Sequence, residues 1–248
     1  MKILVLASKH VRELMTYREC ADVMREALAG LTRGQIQQPL RMVVRPREAA
    51  GFMGLMPAYS PEAGYGLKAL VIMPCNPAVG KDAHQGGVLL FDVQTGEPLA
   101  LINASAITEV RTAAVAGADI VVTATNSPVP VLRREWLAAG AHVNAVGACV
   151  PGDRELDTAI MAEAAVFADS RESVTHEAGD FLLAQGEGVI NPVRAELGEL
   201  IAGTASGRAV DDEITVFESL GVAAEDLAAA GFLYQKAARL GVGTAADF

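Results

Sequence analysis

Three cations in the 248-residue sequence could hold a small anionic ligand: Arg41 after Gln-Gln-Pro-Leu, Lys68 in Tyr-Gly-Leu-Lys-Ala-Leu-Val, and Arg111 in Glu-Val-Arg-Thr-Ala-Ala. A guanidinium presents a planar fork that matches a carboxylate bidentately, and a lysine in apolar surroundings is open to pKa tuning. Lys68 has the strongest local argument, because it sits between Leu67 and Ala69-Leu70-Val71, where an unpaired ammonium is costly. The bland reading is an edge-facing lysine, since strands alternate faces, and single arginines are ordinarily just solvated. His84 and Gln85 lie in a loop ahead of an apolar strand, placed to touch a ligand. His10, His84, His142 and His176 form no HxxxH pair, and Cys20, Cys75 and Cys149 form no CxxC pair, so no metal site is visible. No GxSxG, Walker A or HExxH sequence occurs, which disfavours hydrolase, nucleotidase and metalloprotease chemistry.

These candidates need elements to position them. Residues 3–7 read as a short strand. Thr16 then precedes an amphipathic helix, with apolar Cys20, Val23, Met24, Ala27, Leu28 and Leu31 at helical spacing and an end near Gly30 or Gly34. RMVVRP, GFMGLMPAYS and GLKALVIMP read as strands, and GVLLFDVQTGEPLALI as a hairpin turning at Gln94–Glu97. This half reads as α+β with a mainly antiparallel sheet. From about Ala116 the texture changes. ADIVVTAT, AHVNAVGA and VFADS read as buried parallel strands, separated by helices around Arg134–Ala139 and in ELDTAIMAEA. A polar region follows, then a helix near Val193–Ile201, a loop through Gly203–Asp212 and a last helix in AAEDLAAAGFLYQKAARLG. Ligands of open α/β sheets bind beyond the carboxyl ends of the strands, which gives Asn126-Ser127 and Gly147 a positional argument, although every such sheet has turns there.

Composition narrows the classes further. A net charge of −10 and a pI near 4.9 argue against nucleic acid or an anionic membrane as partner. The five-residue apolar run Ile3–Ala7 is short for a secretory signal, no stretch approaches a membrane span, and the scattered cysteines fit a reducing compartment. The expectation is a soluble cytoplasmic protein. A GxGxxG dinucleotide fingerprint after a first strand is missing. GVGTAA near the end has loosely matching glycines, but no strand precedes it.

Several ordered stretches carry a resemblance: QQPLRMVV, GFMGLMPAYS, YGLKALVIMPCN, HQGGVLLFDVQTGEPLALINASAITEVRTAA, ADIVVTATNSPVPVL, REWLAAGAHVNAVGACVPGDRELD and ITVFESLGVAAEDLAAAGFLYQKAA. With them the chain resembles the ornithine cyclodeaminase / mu-crystallin family along its whole length. The resemblance implies an α/β protein with two domains. One is a discontinuous α+β substrate and dimerisation domain, 1–115 with 205–248. The other, 116–204, is a Rossmann-like NAD(P) domain. It implies a homodimer acting on a small imino or amino acid by ketimine reduction, amino-acid dehydrogenation or ornithine cyclodeamination, with NAD or NADP as cofactor. Arg41, Lys68 and Arg111 match positions that hold the substrate carboxylate and line the reacting centre, with Lys68 the catalytic group beside the imine or amine. Thr125, Asn126, Ser127, Val146, Gly147 and Ala148 would face the cofactor, as would Ser219 and Gly221 in the stretch 218–221.

Two departures qualify this. Cyclodeaminases carry an Asp where this chain has Cys149, a poor proton acceptor by comparison, so imine reduction or amino-acid dehydrogenation fits better. In addition, RTAAVAG runs directly into ADIVVTAT, where the family has a helix, a strand, the glycine-rich loop and a βαβαβ half. The second half alone would leave three parallel strands, with ADIVVTAT as an exposed edge and without the pyrophosphate cradle. The expectation is weak or absent NAD(P) binding and impaired catalysis. A cofactor-free small-molecule-binding dimer is the alternative.

Overall fold

A computed structural model describes residues 2–107, 121–125 and 127–247. The chain divides into two compact units, residues 1–115 with 222–248 and residues 116–221.

The first unit is built on a seven-stranded sheet: β1 (Lys2–Leu6), β2 (Met42–Val44), β3 (Phe52–Ser60), β4 (Gly64–Ile72), β5 (His84–Phe91), β6 (Pro98–Asn103) and β12 (Thr244–Asp247), in the order β12-β1-β6-β5-β4-β3-β2. Only the β1–β6 pairing is parallel. Period-two alternation turns Met56 and Ala58 of β3, Val88 and Leu90 of β5, and Ala100 and Ile102 of β6 into one buried face. Helices α1 (Ser8–Leu14), α2 (Tyr17–Thr32) and α7 (Ala223–Leu240) supply the rest of that core. Thr16 and Glu19 cap α2 reciprocally, as the Thr-x-x-Glu spacing favours. α7 carries Ala223, Ala229, Ala230, Leu233 and Ala237 inward, and such small side chains allow a close approach to the sheet. Gly66 of β4 marks that approach, because a Cβ there would stand 2.7 Å from Leu227 Cδ1. The β5–β6 turn closes with Asp92 Oδ1 accepting from the amides of Gln94 and Thr95.

The opposite face of this sheet is left exposed. By register it carries Met42, Val44, Met53, Tyr65 and Leu101, all well accessible.

The second unit holds a fully parallel sheet of β7 (Val121–Thr123), β8 (His142–Ala145), β9 (Ala165–Ala168), β10 (Ala195–Glu196) and β11 (Thr215–Glu218), ordered β10-β9-β11-β8-β7. Helices α3 (Thr158–Glu163), α4 (Arg171–Glu177), α5 (Gly179–Gly186) and α6 (Leu197–Ile201) belong to this unit. Its core runs through Val143, Leu156, Ile160, Val166, Val174 and Val216. Among the described residues β7 pairs only with β8, and Val121 and Val122 are exposed.

Several expectations need correction. The parallel sheet has five strands, not three. The added β11 is fully buried between β8 and β9, so residues 205–221 group with the second unit and not, as the expected boundary had it, with the first. The helix expected around Arg134–Ala139 is a single 3-10 turn, Arg134–Trp136. The polar region after β9 forms α4 and α5, with Ser170 capping α4. Of the helix expected over Val193–Ile201, the start is β10 and only Leu197–Ile201 is helical.

Candidate functional site

In the first unit the chemistry centres on Lys68. It lies mid-β4, opposite Met56 of β3 and Val88 of β5, so its side chain shares their buried face. Both oxygens of Asp226 stand 3.1 Å from its Nζ, and the two side chains are 3% and 2% exposed. Asp226 sits in the first turn of α7, on the same helical stripe as the buried Ala223, Ala230 and Leu233. The start of α7 is fixed by Gln38, whose Oε1 accepts from the Ala224 amide at 2.7 Å, and by Glu225, which accepts from Val222. Desolvating two charges costs several kcal/mol per ion, so a buried pair of this kind is weak as a stabiliser, which makes Lys68 and Asp226 candidates for a site.

The other cations and polar candidates are less concentrated. Arg41 lies immediately before β2 and is half-buried. Arg111 lies outside the described residues. His84 shares the Lys68 face by register, but it pairs with Ile72, four positions along the strand, roughly 13 Å away at the usual rise. Gln85 alternates to the opposite face. Both open β5 and do not lie in the loop expected ahead of it; Asp82 accepts from the His84 amide at 2.8 Å, while Gln85 Nε2 donates to the Asp82 carbonyl. The Ser105 hydroxyl and the His84 amide hold the Asp82 carboxyl below its ordinary range. The structure therefore brings Lys68 together with Asp226, not with His84 or Gln85.

In the second unit the expected cofactor-facing residues all fall at the carboxyl end of the parallel sheet. Thr125 and Ser127 follow β7, Val146, Gly147 and Ala148 follow β8, and Ser219 and Gly221 follow β11. Asn126 lies outside the described residues. The loops are tied to one another. The Val146 amide donates to the Thr123 carbonyl, the Ser219 amide to Ala145, and the Gly221 amide to Asp169 Oδ2. Glu155 receives the amides of Thr125 and Gly147, one on each oxygen. Asp180 Oδ1 in turn accepts from the amides of Glu155 and Leu156 at 2.8 Å each. Position 147 has no room for a side chain, because a Cβ would fall inside contact distance of the Thr125 carbonyl and the Glu155 carboxylate. Cys149 directs its thiol to the Val146 carbonyl at 3.2 Å. Among the described residues no group of three or more His, Cys, Asp or Glu could hold a metal, and no helix is long and apolar enough to cross a membrane.

The sequence reading missed Asp226, Glu155, Asp169 and Asp180, and it placed Glu218 only within the stretch 218–221. The signal for Asp226 was present, since an Asp on the apolar stripe of an alanine-rich helix must find a buried partner. Asp169 and Glu218 directly end apolar strand runs, VFAD and VFE, which is where polar groups gather on an open α/β sheet.

A discontinuous α+β unit with a buried Lys–Asp pair, together with a unit built on a parallel sheet, defines the class as a two-unit α/β protein. The sequence profile of the ornithine cyclodeaminase/mu-crystallin family matches residues 1–117 and 113–240, and the chain belongs to that family. It is 31% identical to the ketimine reductase mu-crystallin of Mus musculus, over 84% of this chain and 88% of that protein. That alignment runs over 284 residues, more than the 248 present here, so the relative carries residues with no counterpart in this chain. The fold superposes on a Thermococcus litoralis Δ1-pyrroline-2-carboxylate reductase in complex with NADH and L-proline, with a TM-score of 0.93 at 26% identity, covering 98% of this chain and 99% of that one. It superposes equally on an archaeal alanine dehydrogenase dimer with bound NAD, with a TM-score of 0.93 at 28% identity over all of both chains.

The cofactor of these relatives can be tested against the residues present here. The carboxyl-end loops exist. The amides of Thr125 and Gly147, which could otherwise face an anion, are already engaged by Glu155. The sequence has no glycine-rich loop opening a helix, and the two stretches of the family match meet at 113–117, where the first half of the nucleotide domain was expected to be missing. Among the described residues these groups do not form a cradle for a dinucleotide pyrophosphate.

Proposed function

We propose that this chain is a small imino- or amino-acid-binding member of the ketimine reductase type, in which hydride transfer is impaired by loss of the glycine-rich half of the nucleotide domain. The buried Lys68–Asp226 pair carries this reading. In the proposed site Arg41 and Arg111 grip the substrate carboxylate. The Lys68 ammonium, held in place by Asp226, donates to the imine or amine nitrogen, which polarises the adjacent α-carbon. The ammonium has three N–H donors, so Asp226 stays as its counter-charge while another N–H reaches the ligand nitrogen. Cys149, a thiol bonded to a backbone carbonyl, offers no carboxylate for ornithine cyclodeamination.

The protein acts as a homodimer in this reading. The accessible apolar face of the first sheet, with Met42, Val44, Met53, Tyr65 and Leu101, supports it, as does the dimeric alanine dehydrogenase relative. The test has two arms. Calorimetric titration with Δ1-pyrroline-2-carboxylate or L-proline, without nucleotide, is expected to show binding that Lys68→Met abolishes. Titration with NADPH and NADH is expected to show none in the micromolar range. Micromolar nucleotide binding would overturn the impairment, and absence of amino- or imino-acid binding would overturn the pocket.

A further inference from the structure

Beneath the loops after β7 and β8 lies a layer of carboxyl groups that the proposed reaction does not use. Glu218 ends β11 and is 1% exposed, and its Oε1 has no hydrogen-bond partner among the described residues. The charged groups acting on it are Asp180 of α5, Glu155 from the loop before α3 and Asp169 at the end of β9, all acidic. Asp180 is fully buried, and its Oδ2 also lacks a partner, although Arg154 exerts some attraction on it. An ionised carboxylate with a bare oxygen, buried beside three others, is among the costliest arrangements a fold can hold. A neutral acid removes that cost.

We propose that Glu218 and Asp180 hold protons in the folded state and form an alkaline-sensitive latch beneath the carboxyl-end loops of the second unit. The connection to the loops is a chain of hydrogen bonds. Asp180 fixes the backbone of Glu155 and Leu156, and the Glu155 carboxylate fixes the amides of Thr125 and Gly147. Burial first, and then the charges of Asp180, Glu155 and Asp169, push Glu218 well above its ordinary range. Burial likewise pushes Asp180 up to about 7. The folded state thus keeps protons that the unfolded chain releases near pH 4. Its advantage is complete below that range and falls as pH rises through about 7 and beyond. When both groups ionise, like charges share one buried layer, and parting the loops relieves them by admitting water. This inference stands apart from the imino-acid pocket and from nucleotide binding.

Hydrogen exchange on the full chain tests it. Peptides containing Thr125 and Gly147 are expected to lose protection about tenfold between pH 6 and pH 9, after correction for intrinsic exchange. Glu218→Gln and Asp180→Asn, whose amides stay neutral and can donate to the neighbouring carboxylates, are expected to keep their protection across the range. Their melting temperatures are expected to fall less than wild type over the same interval. Unchanged wild-type protection from pH 6 to 9 would overturn the latch even if neither variant folds. So would variants that lose protection in parallel with wild type.

Discussion

Asp226 chelates the ammonium of Lys68 with both carboxylate oxygens at 3.1 Å, across 158 positions of sequence. The pair joins the centre of an antiparallel sheet to the first turn of the last helix, inside the core of the first unit.

Removing either partner alone leaves the other charged and buried. Asp226→Leu is expected to destabilise the first unit by about 3–5 kcal/mol, whereas the double variant Lys68→Met/Asp226→Leu recovers most of that loss. Urea denaturation of the four-member cycle measures the coupling. The double variant is expected to fold yet bind no imino acid by calorimetry.

Gly147 and Gly54 make a contrast. Gly147→Ala drives a methyl into the Thr125 carbonyl and the Glu155 carboxylate, and a loss of about 3 kcal/mol or more is expected. Gly54→Ala meets nothing nearer than Leu70 Cδ1 at 3.8 Å, so its effect stays within about 1 kcal/mol. Thermal melting of the two variants side by side gives the comparison.

Acid weakens the link between α2 and α7. The hydrogen bond from Lys236, followed by the Thr16 amide, holds the Glu19 carboxyl down at about 2, against an ordinary value of 4.5. A depressed carboxylate contributes stability that is present above its unfolded value and is lost as pH falls from about 4.5 towards 2. Glu19→Gln is therefore expected to show a shallower decline in urea midpoint between pH 5 and pH 2 than wild type. The opposite slope would contradict the pairing.

Dimerisation through the open sheet face makes Leu101→Glu a sharp probe. Leu101 is 43% exposed and sits on the accessible apolar face. The substitution costs the monomer little, and it is expected to convert a dimer to a monomer in sedimentation velocity. A variant that sediments like wild type would place the interface elsewhere.

The first unit was the more legible half. The strand-like stretches GFMGLMPAYS and GLKALVIMP, the helical spacing after Thr16 and a QTGE turn are local signals, and each became the element it announced. β11 escaped because a run of four residues after Asp-Asp-Glu has no periodicity long enough to register, and only insertion between β8 and β9 makes it a strand. α4 escaped because its residues are mostly polar and α5 because the apolar run Phe181–Ala184 is too short to show a helical period; capping by Ser170 with packing of Val174 and Ala184 decides them. In the site, Lys68 could be singled out by the cost of its surroundings. Its partner carried a signal of its own, an Asp on the apolar stripe of the last helix, but nothing local joins the two across 158 positions of sequence. His84 and Gln85 looked equally promising, yet strand register carries one away from Lys68 and turns the other to the opposite face.

The strand order of the second unit bears on how the protein is made. β11, which joins β9 to β8, is the last of its five strands to be synthesised. Until residues 215–218 leave the ribosome, the earlier strands have no common partner and form two separate pairs. The first unit waits as well, since α7 supplies its core and the counter-charge of Lys68. The first unit therefore cannot close before the second has been made, and both depend on contacts distant in the chain, the kind that slows folding.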